Sequence, residues 1–156
     1  MKKRITALAI CAIMVISLVM SVASCGLIGD LYDYTGIKTV YTIGETVYTD
    51  EPEINRQFND QYEGSYMYVT SKYVVWTLKD ADKASGMEYK KDGDKLLLKE
   101  EDKAKIVEEI GKQFTVLDFD FYFVKEEDCV KAIYDYTIMN EQNEVHIELE
   151  LSYIKK

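Results

Sequence analysis

Val116-Leu117-Asp118-Phe119-Asp120-Phe121-Tyr122-Phe123, Val130-Lys131-Ala132-Ile133-Tyr134-Asp135-Tyr136-Thr137-Ile138 and Val145-His146-Ile147-Glu148-Leu149-Glu150-Leu151-Ser152-Tyr153 are the three runs that decide how this chain folds. Each places apolar side chains at every second position, the pattern of a strand with one face in a core and the other in water. Asn140-Glu141-Gln142-Asn143 reads as a four-residue loop that sets Ile138 against Val145, Tyr136 against Ile147 and Tyr134 against Leu149. Lys125 to Asp128 reads as the preceding turn and sets Phe123 against Val130. The runs predict an antiparallel three-stranded meander with an apolar and a wet face. A slip of one residue would turn the row Leu117, Phe119, Phe121 and Phe123 into water, so the face is strongly specified.

Upstream, the period changes. Over Glu100 to Phe114, Ala104, Val107, Ile110 and Phe114 form an apolar stripe at helical spacing. Glu100, Glu101 and Asp102 suit the positive end of that helix, and Glu101–Lys105 and Glu108–Lys112 are favourable i, i+4 pairs. Asp92-Gly93 between Met87–Lys91 and Asp94–Leu98 is a hairpin signal, with Tyr89 facing Leu96 and Met87 facing Leu98. Tyr66–Thr70 and Tyr73–Leu78 are strand material. Pro52 after Asp50-Glu51 opens a second short helix, with Ile54, Phe58 and Tyr62 on one stripe and Gly64 as its stop. Ile37–Thr49, folded about Gly44, is a strand pair. The economical architecture is α+β: an antiparallel sheet with two short amphipathic helices on its apolar face, ending in the meander. A cystatin-like or NTF2-like curved sheet has the same outline, an analogy of shape that carries no function.

At 156 residues the chain has room for one such domain, expected over residues 37–156. Residues 25–36, with Gly26, Gly29, Gly36, Asp30 and Asp33, read as a short tether. Before them lies a stretch of different character. Met1-Lys2-Lys3-Arg4 is basic, Ile5 to Val22 is nearly all apolar, and Ser21, Ala23 and Ser24 bring small residues up to Cys25. A basic start, an apolar core and small residues before a cleavage point form a secretory signal peptide.

The stretch Val22-Ala23-Ser24-Cys25 resembles the lipobox of bacterial lipoproteins: an apolar residue, two small ones and an obligatory Cys. The resemblance covers the first 25 residues only. It implies removal of residues 1–24 by cleavage between Ser24 and Cys25. It implies a diacylglycerol (palmitate-type) thioether on Cys25, and a domain anchored by lipid at the extracytoplasmic face of the cell membrane. Several acyl chains, at about 0.8 kcal/mol per buried CH₂, hold a protein where one chain is marginal. Two other readings stay open. The apolar run approaches the length of a spanning helix, which would make it an uncleaved anchor. Cys11 is a second thiol in the leader, although Ile10 before it is not small.

Charge narrows the partners. Removing residues 1–24 leaves 16 of the 19 basic side chains against all 28 acidic ones, a formal −12. Such a surface repels phosphate backbones and anionic lipid headgroups, so nucleic acid is discounted, and an envelope protein, peptide or glycan is the expected partner. Of three Cys, Cys129 alone remains for the domain, so stability must come from packing.

Past Cys25 no motif carries a reaction. Asp135, His146 and Glu148 gather on the wet face of the meander, with Asp118 opposite Asp135, and are the candidate metal or acid–base residues. A solvated acidic sheet face explains them as well. Thirteen Tyr and one Trp supply candidate binding residues: Tyr66, Tyr68, Tyr73, Trp76 and Tyr122. Strand propensity and core filling also account for such rings. No cofactor is implied. The expected function is a membrane-anchored, non-catalytic binding module. The alternatives are a small-ligand pocket lined by Phe119, Phe121, Tyr134 and Tyr136, and a hydrolase using the acidic face.

Overall fold

A computed structural model of the protein describes residues 29–79 and 85–156, so the expected signal peptide and the candidate lipid site Cys25 lie outside the described residues. In chain order the elements are β1 (Gly29–Ile43), β2 (Thr46–Thr49), α1 (Pro52–Tyr62), β3 (Tyr66–Thr70), β4 (Tyr73–Thr77), β5 (Ser85–Asp92), β6 (Lys95–Leu98), α2 (Glu100–Gly111), β7 (Thr115–Lys125), β8 (Cys129–Asn140) and β9 (Asn143–Lys155).

The expected α+β sheet with helices on one face is overturned. The strands run β1-β3-β4-β5-β6-β7-β8-β9, and β9 pairs back onto β1, which closes an eight-stranded antiparallel barrel; β2 is a short flap on the far half of β1. Closure rests on the length of β1. Its first residues, Gly29 to Asp33, pair with β3, while Tyr32 to Ile43 pair with β9 on the other side. The stretch read as a tether therefore becomes strand at Gly29. Its Gly and Asp residues look like loop, but the alternation Leu31-Tyr32-Asp33-Tyr34 between them finds a neighbour on each edge.

β7, β8 and β9 pair consecutively, and Ile138, Tyr136 and Tyr134 meet Val145, Ile147 and Leu149. The β7–β8 register differs from expectation: Lys125 meets Val130, Phe123 meets Ala132 and Asp120, not Asp118, meets Asp135. A bulge between Val116 and Asp118 pushes Leu117 out, leaving it 47% exposed, and gives its inward place to Val116. The β5–β6 hairpin turns at Gly93-Asp94, with Tyr89 against Leu98 and Lys91 against Leu96. Gly93 has φ 62°, which suits the first loop position of a tight hairpin. Both shifts move partners by two, so away from the Val116–Asp118 bulge the apolar side chains keep their faces.

The helices lie in the half of the barrel that β3–β6 are too short to wall. α1 packs on β1 and buries Ile54, Phe58 and Tyr62. α2 packs on β7, but it is rotated from the expected stripe: Ile106 and Ile110 are buried with Asp102, and Ala104 is exposed. Its ion pairs accordingly run i, i+3, Asp102–Lys105 and Glu109–Lys112.

One core fills the barrel. An eight-stranded barrel is just wide enough either to be packed by its own side chains or to hold one small ligand. Here aromatic rings take the space. Trp76 lies parallel to Tyr62 (5.7 Å) on one side and Phe121 (6.4 Å) on the other, and Phe121 contacts Tyr134 at 4.3 Å.

Candidate interaction surface

The period-two pattern that points Phe121, Phe123, Tyr134 and Tyr153 inward points their neighbours outward, so the barrel wall is the place to look for function. Two regions of that wall collect the candidate residues, and the barrel interior holds the rest.

The first region spans β9, β1, β3 and β4. Ile154 pairs with Asp33, Asp33 with Tyr66 and Tyr66 with Thr77; in the next row Leu31 pairs with Tyr68 and Tyr68 with Val75. Tyr66 (37%) and Ile154 (51%) are among the few large apolar side chains left exposed. Tyr66 and Tyr68 meet edge to face at 6.3 Å. Tyr73 stands at the β3–β4 turn, where Thr70 Oγ1 accepts from the backbone N–H groups of Lys72 and Tyr73 and the Lys72 ammonium lies over the Tyr73 ring. Three of the five candidate aromatics thus form one surface.

The other two do not join it. Trp76 points inward and is 3% exposed; its indole N–H donates to the Tyr153 hydroxyl at 2.9 Å, which also bonds Ser65 Oγ at 2.9 Å. Tyr122 lies on the outer wall of β7 under the Lys95 ammonium, 4.7 Å from its ring centre. The parity of β4 could have separated Trp76 from Tyr73, since an odd spacing puts two residues on opposite faces.

The second region is the acidic wall of β7–β9. His146 Nε2 lies 3.2 Å from Glu148 Oε1 and 3.5 Å from Asp135 Oδ1, and its Nδ1 is 3.1 Å from Thr137 Oγ1. Partial removal from water raises the Asp135 carboxyl above its ordinary 3.8; His146 opposes this, while Glu148, Asp118 and Asp120 add to it. Asp118 and Asp120 have other work. β6 reaches β7 only from Tyr122 onward, so among the described residues the β7 edge before it has no strand partner on that side. There Asp118 accepts from the N–H of Phe119 and Asp120 from that of Phe121, and Asp120 also pairs with Lys103 of α2 at 2.7 Å. These carboxylates finish and guard an open edge. Among the described residues no group of three or more His, Cys, Asp or Glu side chains is placed to hold a metal ion. Cys129 sits half-buried at the start of β8 as a free thiol, its pKa pushed up chiefly by burial.

Inside the barrel, Tyr62, Tyr134, Tyr136 and Tyr153 bring four phenols together, each pushed upward in pKa by burial and so held neutral. Sequence reasoning placed Tyr134 and Tyr136 inward but could not see that their buried hydroxyls, with that of Tyr32, find no hydrogen-bond partner among the described residues. The expected open pocket lined by Phe119, Phe121, Tyr134 and Tyr136 is instead packed ring on ring.

Searches of protein families, curated proteins and solved structures returned no match to this chain.

Proposed function

We propose that the protein is a lipid-anchored, non-catalytic interaction module at the extracytoplasmic face of a bacterial cell membrane, held there through Cys25. The observation that carries the reading is the division of its aromatics. Trp76, Phe121 and the inward Tyr residues fill the interior, while Tyr66, Tyr68 and Ile154 remain on the outer wall as one patch. Exposed Tyr beside aliphatic side chains is the composition of a contact surface. The carboxylates that a hydrolase would need stand on an open wall, where Asp118 and Asp120 serve the β7 edge.

A photo-crosslinking phenylalanine analogue in place of Tyr68, and another in place of Gln142 at the β8–β9 turn, tests the reading in cells. The expected outcome is an adduct to an envelope component from position 68 and none from position 142. Equal adducts, or none at position 68, overturn it. Replacing Cys25 with Ala is expected to abolish acyl labelling and release the protein from the membrane fraction.

A further inference from the structure

The barrel has two unlike ends. At one end lie the start of β1 at Gly29, the turns β3–β4, β5–β6 and β7–β8, and the close of β9 at Lys155. At the other lie the β1–β2 and β8–β9 turns and the last turn of α2.

Charge separates along the same axis. The segments that build the first end, residues 29–33, 70–73, 88–95, 124–131 and 154–156, hold eight Lys and eight carboxylates. The remaining described residues hold seven basic and 18 acidic side chains, so the whole excess of negative charge sits elsewhere on the barrel. At the first end Asp30 pairs with Lys155 (3.0 Å) and Lys125 (3.6 Å), and Asp33 pairs with Lys156 (3.2 Å). On the wall beside that rim stand Leu31, Tyr68, Tyr73 and Ile154. Tyr and Lys next to aliphatic side chains are the residues that settle at a membrane–water interface, rings at the headgroups and ammonium groups reaching to phosphate.

Chain geometry points the same way. Gly29 is four residues beyond Cys25, and four residues span at most about 14 Å. A lipid on Cys25 therefore holds the Gly29 rim within about 14 Å of the bilayer.

We propose that the Gly29 end of the barrel is a membrane-facing surface. It takes the anionic and zwitterionic headgroups of the bilayer as its partner, with the Tyr68 patch at the interface and the acidic helical end presented away from the membrane. This rests on the lipid-anchored reading and names the partner of the same aromatic patch. The electrostatic reason is one of repulsion avoided: an anionic surface repels the acidic end and not the balanced one.

The test uses the mature, lipidated chain reconstituted into vesicles of phosphatidylcholine with phosphatidylglycerol. Cys129→Ser removes the remaining thiol, and a fluorophore is attached at Ser71→Cys in the β3–β4 turn or at Gln142→Cys in the β8–β9 turn. Spin-labelled headgroups are expected to quench the Ser71 probe severalfold more than the Gln142 probe. Lys90→Glu with Lys91→Glu is expected to shrink that ratio in the anionic vesicles and leave it unchanged in phosphatidylcholine alone. Flotation of the chain with the vesicles is scored in the same samples. A chain that does not float sinks the anchored reading and this inference with it. A chain that floats while both probes are quenched alike sinks the orientation alone.

Discussion

The Tyr residues inside the barrel show how one atom decides a side chain's worth. Tyr134 and Tyr136 fill space with their rings, yet their buried hydroxyls have no hydrogen-bond partner among the described residues. Tyr153 fills the same core, and its hydroxyl bonds both Ser65 and Trp76. Removing an unpaired buried hydroxyl removes a desolvation cost, while removing a paired one strands its partners. Tyr134→Phe and Tyr136→Phe are therefore expected to raise stability by about 1 kcal/mol each. Tyr153→Phe is expected to lower it by about 1–3 kcal/mol, because the Trp76 indole N–H is left bare. Urea unfolding of the three variants measures the split, and a loss in all three would mean that the first two hydroxyls have partners after all.

At the scale of elements, the hairpins show what the sequence could and could not tell. Three of them close on two residues whose first member has positive φ: Gly44 (59°), Gly93 (62°) and Glu141 (57°). A Cβ at Gly93 would meet nothing within 4 Å, so Gly93→Ala isolates the backbone cost of that conformation. The expected loss is about 1 kcal/mol by denaturant unfolding, with the end-point spectra unchanged. Alternation alone revealed which face of β7, β8 and β9 is buried, because burial selects parity. It did not reveal the β7–β8 register, because a tighter turn moves partners by two without changing parity, and the bulge then exchanges Leu117 for Val116 on the inner face. The stripe on α2 misled for a similar reason: Ile106 and Val107 are adjacent on the helix surface, and only the position of β7 decides which of them faces the core. The aromatic patch was partly visible as Tyr66, Tyr68 and Tyr73 on alternating strands. Its partners Leu31 and Ile154 come from the two ends of the chain, which no local pattern brings together.

Closure of the barrel is a property of the whole molecule and explains why the fold class escaped a local reading. Every strand pair but one joins neighbours or near neighbours in sequence; the exception, β1 with β9, is what separates a barrel from a sheet. The acidic wall also belongs to this scale, since its carboxylates repel across β7, β8 and β9 together. Asp135 is held above its ordinary 3.8 in the folded state, so the native protein binds that proton more tightly than the unfolded chain. The stability it lends is complete below the unfolded value and is lost as pH rises through the raised folded one. Asp135→Asn is expected to be more stable than the parent at pH 7 and to show a smaller loss of Tm as pH rises from the acid side. The side chain is about half exposed, so the gain is expected to be only about a few tenths of a kcal/mol, and less in high salt.

The backbone N–H of Lys156 donates to the carbonyl of Leu31 at 3.0 Å, so Lys156 and the start of β1 lie side by side on one rim. That neighbourhood governs how the molecule can be rebuilt. A short linker from Lys156 to Gly29 would permit a circular permutant with new termini between Glu141 and Gln142, at the opposite end. Cargo fused after Lys156 would crowd the rim that holds Gly29, whereas cargo spliced in at Gln142 would ride on the opposite tip. A display scaffold made from this barrel should therefore carry its passenger in the β8–β9 turn.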